Sequence, residues 1–325
     1  MTDEKVLTLG VLIAYYNERE LLTACLQSLL ANTELPDEIL VYDDGSEFPA
    51  ADYVPEHPLI RVVRGEQNGG MVYARKQSLQ LAQSDYLHFH DADDLFLPTW
   101  VERVRAALPH ADFIVTHGYL QYEDGVRELF PHLLLEPLQA DFKAYTIRYG
   151  LNSIGPTFHR ALAAFALNGR GDDLGGTWDY YSNALMAQHA DRFCLINEPL
   201  YAIRLRASSL SRGQDNQMRP NMHLKYMRAL HLLYDDLPER RPLIVETIAA
   251  QAWRLYRQGL KAEAREGFRF AQRVGQPSYT CFSQPWRAIA RAFGGLTAAQ
   301  ARTLYTQPAL VAARRRLKYL LRLRS

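Results

Sequence analysis

The sequence predicts an α/β protein: a mostly parallel central sheet flanked by helices, followed by a helical C-terminal region. Three observations carry that prediction. Short apolar runs of strand length alternate with segments of helical periodicity through the first third of the chain. The connections between them are short, as right-handed crossovers in a parallel sheet require. Acidic or glycine-containing clusters stand at the ends of successive strand runs, where open α/β sheets bind their ligands.

The elements follow in order. Residues 6–14 (VLTLGVLIA) are almost continuously apolar, the pattern of a strand buried on both faces. Asn17 is positioned to cap the next helix, with Glu18 and Glu20 in its first turn against the dipole. Leu22, Cys25, Leu26, Leu29 and Leu30 then repeat at helical spacing until residues 32–36 break the pattern. Residues 38–42 (EILVY) form a second strand that ends in Asp43-Asp44-Gly45-Ser46. Residues 59–63 form a third. Asn68-Gly69-Gly70 is a turn before a helix over 71–82. Residues 86–90 (YLHFH) form a fourth strand, ending in Asp91-Ala92-Asp93-Asp94. A helix follows from Pro98, a residue favoured in the first helical turn, and residues 113–116 form a fifth strand. The sheet therefore brings Tyr16-Asn17, Asp43-Asp44, Asn68-Gly69-Gly70 and Asp91-Ala92-Asp93 to one edge.

Composition narrows the function. A length of 325 residues suggests two domains of roughly 150 residues each: an α/β domain over 1–215 and a helical region with a basic tail over 216–325. With 48% hydrophobic and 22% charged residues, the chain can bury a sizeable core and is not of disordered type. A net charge of +1 argues against a whole-molecule nucleic-acid binder, which needs an excess of cations to neutralise phosphates. No apolar stretch approaches the ~18 residues of a membrane span. The polar start of the chain does not read as a signal peptide. Cys25, Cys194 and Cys281 are odd in number and far apart, so no disulfide framework or zinc-knuckle spacing emerges. Reduced, mostly buried thiols in a cytoplasmic protein are expected.

The acids carry the chemistry. Asp91 and Asp93 stand two residues apart, and carboxylates crowded at a strand end are costly unless cations or donors satisfy them. Hard ions such as Mg²⁺ or Mn²⁺ take oxygen ligands and neutralise a diphosphate leaving group. The competing role for Asp93 or Asp94 is to cap the following helix. Asp43-Asp44 suits either a tight turn or the imide N–H of a nucleobase. Arg75 is either a solvated arginine or a contact to base or phosphates. The first strand–helix turn contains no glycine, which excludes a dinucleotide fingerprint, and no phosphate-binding GxxxxGK[ST] occurs. His88-Phe89-His90 could chelate zinc from one strand face. That metallohydrolase reading leaves the first three strand-end clusters unexplained; otherwise both histidines pack in or beside the sheet.

Four segments in this order resemble glycosyltransferase family 2: residues 9–17 (LGVLIAYYN), 38–46 (EILVYDDGS), 68–75 (NGGMVYAR) and 84–94 (SDYLHFHDADD). The resemblance implies a GT-A fold and inverting sugar transfer from a nucleotide-diphosphate donor, with a UDP-sugar expected. It implies a glycan or lipid-linked acceptor in bacterial cell-surface polysaccharide or lipopolysaccharide synthesis, and a divalent metal cofactor, Mn²⁺ or Mg²⁺. By the same resemblance, Asp43 or Asp44 holds the base and Tyr16 lies beside it. Asn17, Asn68, Gly69 and Gly70 belong to the donor site, and Arg75 contacts the nucleotide. Asp91 serves the ribose or the metal, and Asp93, closing the DXD element, binds the metal directly. Family members carry a later acid as catalytic base. Asp179, in Gly176-Thr177-Trp178-Asp179-Tyr180-Tyr181, takes that place, although it could equally serve a helix dipole. Asp172 and Asp173 are rivals in a glycine-rich loop. The loop beginning at residue 199 supplies Arg204 and Arg206. Two departures stand out: Ala14 where the family often has proline, and Arg206 where many members have histidine. Arginine does not ligate metal but pairs bidentately with phosphate, so Arg204 and Arg206 are expected to share the charge neutralisation.

From about residue 221 helix formers dominate. Residues 249–277 resemble one tetratricopeptide-like hairpin, but no second copy follows at that period, and arrays need several repeats. Helices packing on the catalytic domain are the expected arrangement. Residues 309–325 carry six Arg and Lys and no acid, with leucines interleaved. Such a segment suits either a solvated terminus or an anionic membrane surface, hence an expected peripheral location on the inner face of the cytoplasmic membrane. Two other readings compete: a nucleotide-sugar-binding protein with a degenerate site, and a nucleotidyltransferase, whose usual glycine-rich basic loop is missing here.

Overall fold

The computed structural model describes residues 6–131, 133–206, 220–275 and 277–306. The chain divides into two compact units, Met1–Met222 and His223–Ser325.

The first unit is built on one nine-stranded sheet with helices on it. Its elements begin with β1 (Leu9–Tyr15), α1 (Arg19–Leu30), β2 (Glu38–Asp43), β3 (Ile60–Arg64), α2 (Met71–Leu81), β4 (Tyr86–Asp91), β5 (Leu95–Phe96) and α3 (Trp100–Ala107). They continue with β6 (Phe113–Gln121), β7 (Arg127–Leu129), α4 (Leu135–Ala140), α5 (Phe142–Arg148), β8 (Pro156–His159), α6 (Ala163–Asn168), α7 (Trp178–His189) and β9 (Phe193–Arg204). The strand order is β3-β2-β1-β4-β8-β6-β9-β5, with β7 on β6. β3, β2, β1 and β4 are parallel, as the apolar runs predict. The other half is mixed. β8 runs antiparallel between β4 and β6, while β9 pairs parallel with β6.

The parallel half has a simple physical basis. Val11 and Ile13 of β1 pack with Leu22, Cys25, Leu26 and Leu29 of α1 and with Val101 and Val104 of α3, in one buried cluster. These are the residues whose 3.6- and 2-residue periods are visible in the sequence. Burying them removes apolar surface worth about 25 cal/mol per Å².

Two helix starts differ from expectation. α1 begins at Arg19 with Glu18 at its cap, without a side-chain cap bond. Asn17 is instead in the left-handed region at φ 58°, a conformation asparagine tolerates. Its side chain accepts from Phe48 N–H at 3.2 Å, so it ties down the loop after β2. α3 starts at Trp100, not Pro98, with Thr99 at its cap. Asp94 does not cap it: β5 intervenes, and the Asp94 carboxylate accepts from Arg204 N–H at 2.9 Å.

The second unit is helical. α8 (Pro220–Asp236) enters it, followed by α9 (Arg241–Arg257), α10 (Lys261–Val274), α11 (Trp286–Phe293) and α12 (Gly295–Tyr305). α9 and α10 form a hairpin whose inner faces bury Ile244, Ile248, Ala252, Ala264, Phe268 and Ala271. No described helix is long and apolar enough to cross a membrane. The basic segment 309–325 and the boundary expected at 215/216 lie outside the described residues.

Candidate active site

Because β1, β2 and β4 are parallel and in close register, their C-terminal ends share one edge. Tyr15 is level with Asp43, and Ala14 with Asp91. The clusters that follow these strands are therefore neighbours.

The loop after β2 is organised from within. Asp43 is buried, and its carboxylate accepts from Ser46 N–H and Ala50 N–H, each at 2.9 Å, and from Arg64 at 3.1 Å. Asp44 accepts from Gly69 N–H at 2.9 Å and Gly70 N–H at 2.8 Å. Asp44 thus clamps the Asn68-Gly69-Gly70 turn to the end of β2. Gly70 sits at φ +87°, a conformation that glycine adopts without steric cost. Asn68 Oδ1 accepts from Gly70 N–H at 3.0 Å. Tyr16, which follows β1 directly, is 49% exposed.

The turn opens α2, which carries Arg75 inward. Arg75 is 2% exposed and joins two acids from distant parts of the chain. It pairs with Asp91 Oδ1 at 2.5 Å and with Asp179 Oδ1, and its guanidinium lies 5.5 Å from the Phe89 ring centroid. Asp91 also accepts from Ser153 Oγ at 2.6 Å. Asp179 stands in the first turn of α7, so the helix dipole and the arginine both favour its carboxylate. Its rival Asp172 is 78% exposed and pairs with Lys76 at 2.5 Å.

A second arginine closes the other side. Arg206 pairs with Asp93 Oδ2 and, at 3.1 Å, with Glu18. Arg204 does something different. Its side chain donates to the backbone carbonyls of Asp93 and Leu21 and so fixes the β4–β5 turn. Asp91, Asp93 and Asp94 bring carboxylate oxygens within 4.8 Å of one another. Burial, then repulsion from Asp91, pushes the Asp93 carboxyl above the ordinary carboxylate range. Burial and Asp93 push Asp94 well above it. Three hard oxygen donors crowded this closely fit a divalent cation.

Sequence reasoning missed Ser153, Glu18, Arg64 and the third acid, Asp94. Asp94 was legible as part of the acidic run, but its helix-cap role competed. The other three join the site through pairings that no local spacing encodes.

His88 and His90 form no metal centre. Both are buried, with His88 Nδ1 3.0 Å from Pro156 O and the two rings linked at 3.2 Å. His90 stacks on Phe96 at 3.6 Å, and His88 packs on Trp100 at 4.4 Å. Burial pushes the His88 imidazole down to about 3. Among the described residues no third ligand group joins them.

The match to known proteins follows this geometry. The family described as Glycosyl transferase family 2 matches residues 10–169. The uncharacterised glycosyltransferase YwdF of Bacillus subtilis is 32% identical over 108 residues, 33% of this chain and 40% of the relative. The glycosyltransferase GlyA of Streptococcus pneumoniae is 24% identical over 75% of this chain and 35% of the relative. The matched stretches thus span about two fifths or less of these relatives' lengths. In fold, the chain is similar to the crystal structure of S. aureus TarS 1–349 in complex with UDP-GlcNAc. The TM-score is 0.59 at 17% identity, covering 92% of this chain and 91% of that one. With its parallel half-sheet, strand-end acids and helical C-terminal region, the fold is GT-A, and over residues 10–169 the chain is similar to glycosyltransferase family 2.

Proposed function

We propose that the protein is an inverting glycosyltransferase that uses a nucleotide-diphosphate sugar, a UDP-sugar in our reading, to extend a cell-surface glycan. One observation carries the proposal. Arg75 holds Asp91 from β4 and Asp179 from α7 on one guanidinium, which puts a donor-binding acid and a base at a single locus. The TarS complex with UDP-GlcNAc shares this fold, which supports a uridine donor.

The chain's residues divide the work. The Asp44-clamped turn and Tyr16 form the nucleobase end of the crevice, and Asp91 meets the ribose. Asp91 and Asp93, with Asp94 beside them, would hold a Mg²⁺ or Mn²⁺ ion, whose charge would neutralise the departing diphosphate. Arg206 lies next to these acids and suits phosphate pairing. Asp179 takes the proton from an acceptor hydroxyl as that oxygen bonds to the anomeric carbon and the carbon–phosphate-oxygen bond breaks. Arg75 orients Asp179 for that transfer. Attack on the face opposite the diphosphate inverts the anomeric centre.

The test is the anomeric configuration of the product, read from the proton coupling of its anomeric hydrogen by NMR. A β-linked product from an α-linked donor supports the proposal. An α-linked product contradicts it.

A further inference from the structure

The helical unit carries a feature that the donor chemistry does not use. A cleft of about 500 Å³ opens beside the α9–α10 turn, lined chiefly by Trp253, Tyr256, Arg257, Lys261, Arg302 and Thr303. That volume is in the range of small-ligand sites. Its lining includes three cations and no carboxylate.

The aromatic part is ordered. Trp253 and Tyr256 stand one turn apart on α9 with rings nearly parallel, 17° between planes and centroids 5.9 Å apart. Phe282 packs against Trp253 at 4.9 Å. The Arg302 guanidinium lies 5.0 Å from the Trp253 ring centroid. This contact attracts the cation to the ring, and the guanidinium keeps its planar set of N–H donors.

We propose that this cleft binds an anionic saccharide. The apolar C–H face of a pyranose packs on the Tyr256 ring, and its phosphate or carboxylate group is held by Arg302, Arg257 and Lys261. A fork of N–H donors beside an ammonium matches a planar carboxylate or a phosphate. Thr303 offers a hydroxyl to ring oxygens. The basic segment 309–325 shares the sign of the cleft, so charge disfavours it as the occupant. The site belongs to the helical unit and does not depend on the transferase reading.

Calorimetric titration of the full chain tests it with five probes. They are hexagalacturonate, a phosphorylated maltohexaose, neutral maltohexaose, hexaglutamate and UMP. At least one acidic oligosaccharide is expected to bind about tenfold or more tighter than maltohexaose and hexaglutamate. The stronger of the two identifies the anion. Arg302→Gln and Lys261→Gln should each weaken that binding several-fold, and Tyr256→Ala by about tenfold. Lys261 is exposed, so Lys261→Gln should keep the wild-type melting point and reports on the site even where Tyr256→Ala perturbs folding. The proposal is overturned by no binding of either acidic sugar, or by affinity that the Lys261→Gln/Arg302→Gln pair leaves unmoved. Equal binding of hexaglutamate would reduce the cleft to a charge patch, and UMP binding that Lys261→Gln and Arg302→Gln weaken would make the cleft a nucleotide site; either overturns the saccharide proposal.

Discussion

At the level of single residues, the acids of this site divide by what already holds them. Asp43 and Asp44 are engaged by backbone N–H groups of their own loop and of the glycine turn, so their first role is to shape the crevice. Asp91, Asp93 and Asp179 are held by arginine side chains, which in the proposed reaction re-pair with phosphates and acceptor. Asp179 is the sharpest case. Asparagine keeps its shape and a hydrogen bond to Arg75 but accepts no proton. Asp179→Asn should therefore lower transfer by about 10²- to 10⁴-fold while nucleotide-sugar binding stays within a few-fold. Steady-state rates and calorimetric donor titration read the two effects separately, and normal turnover would remove Asp179 from the mechanism.

At the level of elements, the legible part of the fold was the part written in local pattern. β1 to β4 and α1 are continuous apolar or periodic runs, and their ends agree with expectation to within a few residues. β5, β7 and β8 have two, three and four residues, too short for a period to register. Their pairing depends on partners far away in sequence. The same reason hid Arg75–Asp179, which spans 104 positions. Two element-scale outcomes follow from contacts of this kind. A Cβ on Gly118 of β6 would lie 2.1 Å from the Tyr201 ring. Tyr201 is fully buried and accepts from Asn152 at 2.6 Å, so it has no room to retreat. Gly118→Ala should cost about 3 kcal/mol, near the upper end for overpacking, measured by urea unfolding. Glu38, at the start of β2, is partly buried, which alone would raise its pKa. Bonds from Gln83, Arg61 and Ser84 outweigh burial and lower it below the ordinary 4.5. A depressed carboxyl stabilises above its unfolded pKa, and that stability is lost as pH falls through the folded value. The unfolding midpoint should therefore drop on acidification below about pH 4.5. Glu38→Gln should be less stable at neutral pH and decline less steeply in acid.

Across the whole first unit, residues between Tyr16 and Arg206 meet at one edge of the sheet, brought together by parallel pairing and by two arginine clamps. In the proposed function this edge grips a nucleotide sugar. A ligand that binds only the folded state stabilises it by about 2.7 kcal/mol at a hundred times its Kd, which raises the melting point by roughly 5–10 °C for a unit of this size. The decisive measurement is a melting panel with UDP-, GDP-, dTDP- and CMP-sugars, with and without Mn²⁺. A UDP-sugar is expected to raise the midpoint by several degrees, and Asp93→Asn to remove any additional gain from the metal. A cooperative melt that no nucleotide sugar shifts, with or without Mn²⁺, would contradict the proposed function.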